Sequence, residues 1–330
     1  MTRFWWHIGL VGLGAGLCSA LMVASLASGL PIAIFLLCLA PLPISIVSVG
    51  WSHWAGLVAV AAAAILLALA DPSWLLAFPL IVGLPAWWLG YLALLARPAG
   101  REGELDWYPV GRLVLWAALL AAFVGLIAIV EIGDATAQRM LRTTIEHMLR
   151  ARLNIAADAP LVVPGIDDPN SLIDLVIAGA PAAGALLCTI LQLFSLWLAG
   201  RVVKISGRLR RPWPDLAAAR LPPVTMLLLV LAFVGTFLPG ISGMAAAPPT
   251  ASLLLAYAVM GFAVMHGVTR FMHGRTVALF ILYVGFLLLG WSGWPLLMMA
   301  LLGMIDGAFD LRRRVAARRQ PPPVPPLERN

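Results

Sequence analysis

Residues 111–130 read GRLVLWAALLAAFVGLIAIV, with one charge, Arg112, at the leading edge and none after it. Wound as an α-helix, such a stretch rises about 30 Å, the thickness of a bilayer's hydrocarbon core. It is apolar on every face and never alternates, which excludes a strand of a membrane β-barrel. The same pattern recurs along the chain, at about 8–28, 30–49, 54–70, 75–95, 172–199, 223–239, 251–269, 276–290 and 294–309. Composition agrees. Of 330 residues, 62% are hydrophobic and only 11% charged, whereas a soluble domain carries roughly a quarter charged residues. The fold expected is an all-α, polytopic transmembrane helical bundle of about 10 spans, with 8–10 as the range.

The last pair sets that range. TVALFILYVGFLLLG, at 276–290, is followed at once by WSGWP, and fifteen helical residues reach only about 22 Å. Two short spans and a re-entrant hairpin both fit. Prolines at 31, 41, 43, 79, 85 and 181 fall at span ends or within spans, where they mark starts or kinks. The N-terminal MTRFWWHIGLVGLGAG reads as a first span anchored by Trp5 and Trp6. A cleaved signal is the weaker reading, because the apolar stretch runs on and further spans follow. Gly12-xxx-Gly16 and Gly303-xxx-Gly307 predict close helix packing.

The net charge of +7 does not point to nucleic acid, because the basic residues lie in short stretches between apolar runs rather than in a basic domain. With the N-terminus inside and ten spans, eighteen Lys and Arg fall on the cytoplasmic side and four on the other. That asymmetry places both termini in the cytoplasm. The four exceptions, Arg139, Arg142, Arg150 and Arg152, share the long loop 131–171 with more numerous acids. Within it, Met140, Leu141, Ile145, Met148 and Leu149 repeat at helical spacing, which predicts an amphipathic helix lying in the interface plane. It serves as a scaffold or as a lid over an outward-facing cavity. Residues 1–311 thus form the transmembrane helical domain, and 312–330 a basic, proline-rich cytoplasmic tail. Cys18, Cys38 and Cys188 all lie in apolar runs without metal-ligand spacing and read as small packing residues.

Ionisable residues close to the hydrocarbon are costly and so are the first functional candidates. His266, Arg270 and His273 form a stripe at one helix end, and Asp306 and Asp310 share a face of the last span. Two readings compete. In one, Arg270 neutralises Asp306 and Asp310 pairs with Arg314 at i,i+4, a structural hem; in the other, the same residues form a coupling or ligand site. The basic segment Arg201, Lys204, Arg208, Arg210 and Arg211 is expected to face anionic lipid or a cytoplasmic partner. GISGM at 240–244 matches a Gly-x-Ser-Gly pattern, but Ser242 and His266 lie too far apart along the span to act as nucleophile and base. The histidines at 7, 53, 147, 266 and 273 are scattered, and neither a nucleotide-binding fingerprint nor an Asp-rich diphosphate motif occurs. No catalytic residue, metal site or cofactor is expected, and the chain does not read as an enzyme.

The basic hinge SGRLRRPWPDLAAARLPP (206–223) and the closing GMIDGAFDLRRR resemble those of the YybS-like family of bacterial membrane proteins. That family is similar in general architecture to the substrate-binding S components of energy-coupling-factor transporters. The resemblance implies a bacterial inner-membrane component that binds a small solute in an outward cavity, served by a separate membrane coupler and ATPase subunits. Asp306, Asp310 and Arg312 to Arg314 match its C-terminal motif, with no role attached. S components have about six helices rather than ten, and the short alanine-rich coupling motif is missing from the first span. The alternative reading is a non-transporting membrane scaffold or interaction protein.

Overall fold

The computed structural model describes residues 2–100, 104–156, 159–166 and 168–317. In chain order the helices are α1 (Thr2–Ala24), α2 (Pro31–Leu39), α3 (Pro41–Gly50), α4 (His53–Ala68), α5 (Trp74–Phe78) and α6 (Leu84–Ala93). A short antiparallel hairpin, β1 (Ala96–Pro98) with β2 (Leu105–Trp107), leads to α7 (Val110–Ile132). Then come α8 (Ala135–Leu153), α9 (Pro169–Ile205), α10 (Val224–Gly235), α11 (Ile241–Val268), α12 (Arg275–Leu289), α13 (Trp294–Phe309) and α14 (Leu311–Ala317).

Among the described residues, six segments are long and apolar enough to cross a membrane: Trp5–Ser28, Pro31–Gly50, Trp74–Ala93, Val110–Ile132, Pro169–Ile205 and Ile241–Val268. The shorter apolar helices α4, α10, α12 and α13 supply the other four expected segments. The protein is a helical membrane bundle. Its outer surface agrees: Leu13 and Leu21 on α1, Leu231 and Val234 on α10, and Phe280 and Leu287 on α12 are all exposed. So much contiguous apolar surface has no place in water and is at home against lipid chains.

Local chemistry explains the breaks. Pro31 and Pro41 open α2 and α3 at their first turns, where a missing N–H costs nothing. Pro79 opens a π-helical turn, Pro79–Gly83, which joins α5 to α6 within one span. Pro181 lies inside α9, as expected, and Pro248 and Pro249 lie inside α11. The capping carboxylate of Asp134 accepts from Thr136 N and Ala137 N at 2.9 and 3.0 Å and starts α8. Helix α8 is the amphipathic helix anticipated in the 131–171 loop. Its Leu141, Ile145 and Leu149 are half-buried while Met140 and Met148 are exposed. Arg142 ties it to Asn170 and Asp174 at the start of α9.

Two apolar cores share α9 as a bridge. One is built from α1 to α6 and includes Ile44, Ala59 and Phe78. The other surrounds α11 and includes Leu253, Ala256 and Ala300. Helix α9 packs on α3 and α6 of the first and on α7 and α11 of the second. The expected Gly12-xxx-Gly16 seam is real. A Cβ at either residue would stand 2.7 or 2.6 Å from the backbone oxygen of Ala55 or Ala59 on α4. The second seam differs from expectation. A Cβ at Gly303 would lie 2.1 Å from Tyr257 O, but one at Gly307 would meet nothing within 4 Å. The partner of Gly303 is Gly261 on α11, whose own Cβ would stand 2.0 Å from Met299 O.

Candidate functional site

The candidate residues gather at the end of the bundle where α6, α9, α11 and α13 finish and α7 and α12 begin. Across this end runs the 206–223 segment, a strap held at five places. A Cβ at Gly111 would overlap Arg220 O at 1.6 Å, so the strap lies directly on the first turn of α7 and only glycine admits it there. Arg211 donates to Ala93 O at 3.2 Å. Arg270 reaches both oxygens of Asp215 at 2.9 Å, Arg220 donates to Asp310, and Arg312 donates to Ala217 O at 2.6 Å.

These contacts correct two expected pairings. Asp306 does not meet Arg270; its partner is Arg312. The Arg312 Nε and Nη2 donate to Asp306 Oδ2 at 3.0 and 2.7 Å, and the Arg312 backbone N–H donates to Oδ1 at 3.1 Å. The two side chains are only 4% and 10% exposed. Nor does Asp310 meet Arg314: its partner is Arg220 on the strap, and the Arg314 guanidinium lies 6.0 Å from the Phe309 ring. The cause is one backbone angle. Asp310 adopts φ 54°, ψ 51° and caps α13, so the chain turns and α14 folds back. On a continuous helix, residues six apart lie on different faces. After the turn at Asp310, they meet. Arg312, assigned from sequence to the tail, is part of the folded body; residues 318–330 of that tail lie outside the described residues.

The stripe His266, Arg270, His273 is broken by a 3₁₀ turn, Thr269–Phe271. His266 Nε2 instead lies 2.7 Å from Tyr283 Oη on α12. His273 sits exposed in the turn before α12. Ser242 and His266 stand at opposite ends of α11, about 36 Å apart along its axis. They cannot act together.

Most of the basic segment is exposed and also lies against aromatic faces. Arg201 and Lys204 lie 5.4 and 5.2 Å from the Trp213 ring, and Arg208 lies 4.4 Å from Trp51, within cation–π range. Arg210 is exposed. Arg211 turns inward, and burial pulls its pKa down from the usual arginine value. On the strap, the hydrogen bond from Arg270 holds Asp215 below the ordinary carboxylate value, and the one from Arg220 does the same for Asp310.

Beneath the strap lies a cavity of about 870 Å³. Leu113 and Val114 of α7, Leu196 and Trp197 of α9, and Val259 and Phe262 of α11 form part of its wall, with Trp213 as part of its roof. Its charged lining is Arg211, Asp215, Arg270 and Arg275, with His266 beside them. The resemblance predicted a cavity beneath the 131–171 loop; this one opens at the opposite end of the bundle. Asp215, Trp213 and Arg275 were not singled out from sequence. Asp215 had a signal, being the only acid in the basic stretch 201–223.

No curated protein and no solved structure matches the chain. A family model described as predicted membrane protein (DUF2232) matches residues 16–307, a range that includes the cavity, the strap and Asp306. Over nearly its whole membrane bundle, therefore, the chain belongs to DUF2232, a family of predicted membrane proteins.

Proposed function

We propose that this protein is a solute-binding component of the bacterial inner membrane, without chemistry of its own, and that the strapped cavity is its binding site. One observation carries the reading. The cavity of about 870 Å³ falls within the roughly 300–1,000 Å³ of small-molecule sites and has their composition, an apolar wall with a few polar groups at one end. The ion pairs that hold the strap over it are surface pairs, worth about 0–1 kcal/mol each. Two of the strap's five anchors are therefore weak, whereas Ala219 stays packed in the core around α11. The bias of Lys and Arg toward this end makes it the cytoplasmic one. This reading keeps the solute-binding part of the YybS-like and S-component resemblance and moves the site to the inner face. A membrane coupler and ATPase subunits would dock near the strap if transport is driven.

The test is a thermal-shift screen of the purified full chain in detergent against vitamins, nucleobases and acyl compounds. Ligand at a hundred times its Kd stabilises by about 2.7 kcal/mol. A compound that raises the melting temperature of the native chain, but not of the cavity-filling variants Val259→Trp or Gly200→Leu, is the expected result. Shifts that survive both variants, or no shift from any compound, would overturn the binding-site reading and leave the membrane scaffold.

A further inference from the structure

We infer that the occupant of this cavity is a lipid with an anionic headgroup, its chain against the apolar wall and its headgroup between Arg211 and Arg275. The inference rests on the cavity being a binding site and adds the chemistry of what binds there. Three guanidiniums, Arg211, Arg270 and Arg275, line the cavity together with a single carboxylate, Asp215. That carboxylate is already taken, since Arg270 contacts both of its oxygens. Arg211 has a neutral partner, the Ala93 carbonyl. Among the described residues, neither Arg211 nor Arg275 forms a salt bridge. Arg211 is half-buried, and a guanidinium drawn partly out of water is costly unless an anion joins it. Arg275 is exposed and free to join Arg211 on a phosphate, which accepts from guanidiniums bidentately.

The wall points to a lipid rather than a water-soluble anion. Phe194 and Trp197 line the cavity and are 45% and 44% exposed, so broad aromatic surface in it is left uncovered. A small water-soluble anion would leave that apolar wall bare, whereas an acyl chain covers it. Basic pockets between transmembrane helices at the cytoplasmic side are a recurring way of holding anionic headgroups. His266, which lies 2.7 Å from Tyr283 Oη, adds a polar group to the lining.

The probes are palmitoyl lysophosphatidic acid, palmitoyl lysophosphatidylcholine and inorganic phosphate. Affinities are measured on the full chain in detergent micelles by calorimetry. The native chain should bind the anionic lipid at least roughly tenfold more tightly than the zwitterionic one, and free phosphate not at all. Arg211→Gln combined with Arg275→Gln should bring the two lipids to equal affinity, and Val259→Trp should abolish binding of both. Equal affinities in the native chain would overturn the headgroup assignment and leave the cavity reading standing. A preference that survives the double substitution would do the same, placing the selectivity elsewhere on the surface. Binding of neither lipid would overturn the lipid assignment and leave the cavity reading to the compound screen; binding unchanged by Val259→Trp would overturn both. Should the double variant fail to fold, Arg275→Gln alone, at an exposed position, should still narrow the gap severalfold; an unchanged gap refutes the assignment. Phosphate binding as tightly as the lipid would refute it too.

Discussion

Replacing Arg312 with glutamine tests the architecture of the basic end most directly. The guanidinium gives Asp306 two charge-assisted hydrogen bonds, in a site where the pair is 10% and 4% exposed. Without it, one backbone N–H remains to a carboxylate that water barely reaches. Breaking a buried pair from one side costs about 3–5 kcal/mol, because the surviving charge is left desolvated. Adding Asp306→Asn removes that charge, so the double variant should be more stable than Arg312→Gln alone, with a coupling of about 1–3 kcal/mol. Arg220→Gln is the control, since Arg220 is 53% exposed in its pair with Asp310 and such surface pairs contribute about 0–1 kcal/mol. Reversible unfolding by SDS in mixed micelles, followed by circular dichroism, measures the native chain, these three variants and Asp306→Asn alone, which closes the cycle. High salt should weaken the Arg220 pair and leave the Arg312 pair nearly untouched. If Arg312→Gln costs no more than Arg220→Gln, or if the double variant is merely additive, the buried-pair argument is wrong.

Gly303→Ala should destabilise by about 1–3 kcal/mol through overpacking, since its Cβ would stand 2.1 Å from Tyr257 O, whereas Gly307→Ala meets nothing within 4 Å and should be neutral in the same unfolding assay. Gly111→Ala must push the strap away, because its Cβ would lie 1.6 Å from Arg220 O; faster tryptic cleavage within 206–223, with the melting temperature little changed, is the expected outcome. The strap should also respond to acid. Asp215 and Asp310 both titrate below the ordinary 3.8 in the folded chain, so the stability they lend is present above the unfolded value and is lost as pH falls through the lower folded one. Hydrogen exchange of 206–223, corrected for its intrinsic rate, should rise only below about pH 4; a rise between about pH 5 and 8 would show that some other group controls the strap.

How much of this was legible beforehand differs from element to element. All ten apolar segments, the amphipathic helix α8 and the Gly12-xxx-Gly16 seam follow from runs and spacings in the chain, because burial in hydrocarbon and helical periodicity are local properties. Asp306 was legible as a costly acid near the membrane. Its partner was not, since three arginines follow it closely in sequence and others approach from distant loops. Nothing local said that α9 and α11 would leave a space between them, or that Trp213 would roof it. Volume is what remains when several helices fail to touch, and no single segment encodes it.

The sequence by itself determined that this chain is a helical membrane bundle with one strongly basic end, because every span must satisfy its backbone internally and the charges must stay near water. Only the tertiary structure decided what that end does with its charges. The left-handed turn at Asp310 swings Arg312 back onto Asp306, which frees Arg270 for Asp215 and leaves Arg211 and Arg275 at a cavity without a carboxylate of their own. Pairing of charges depends on distance in space, and here one backbone angle sets that distance.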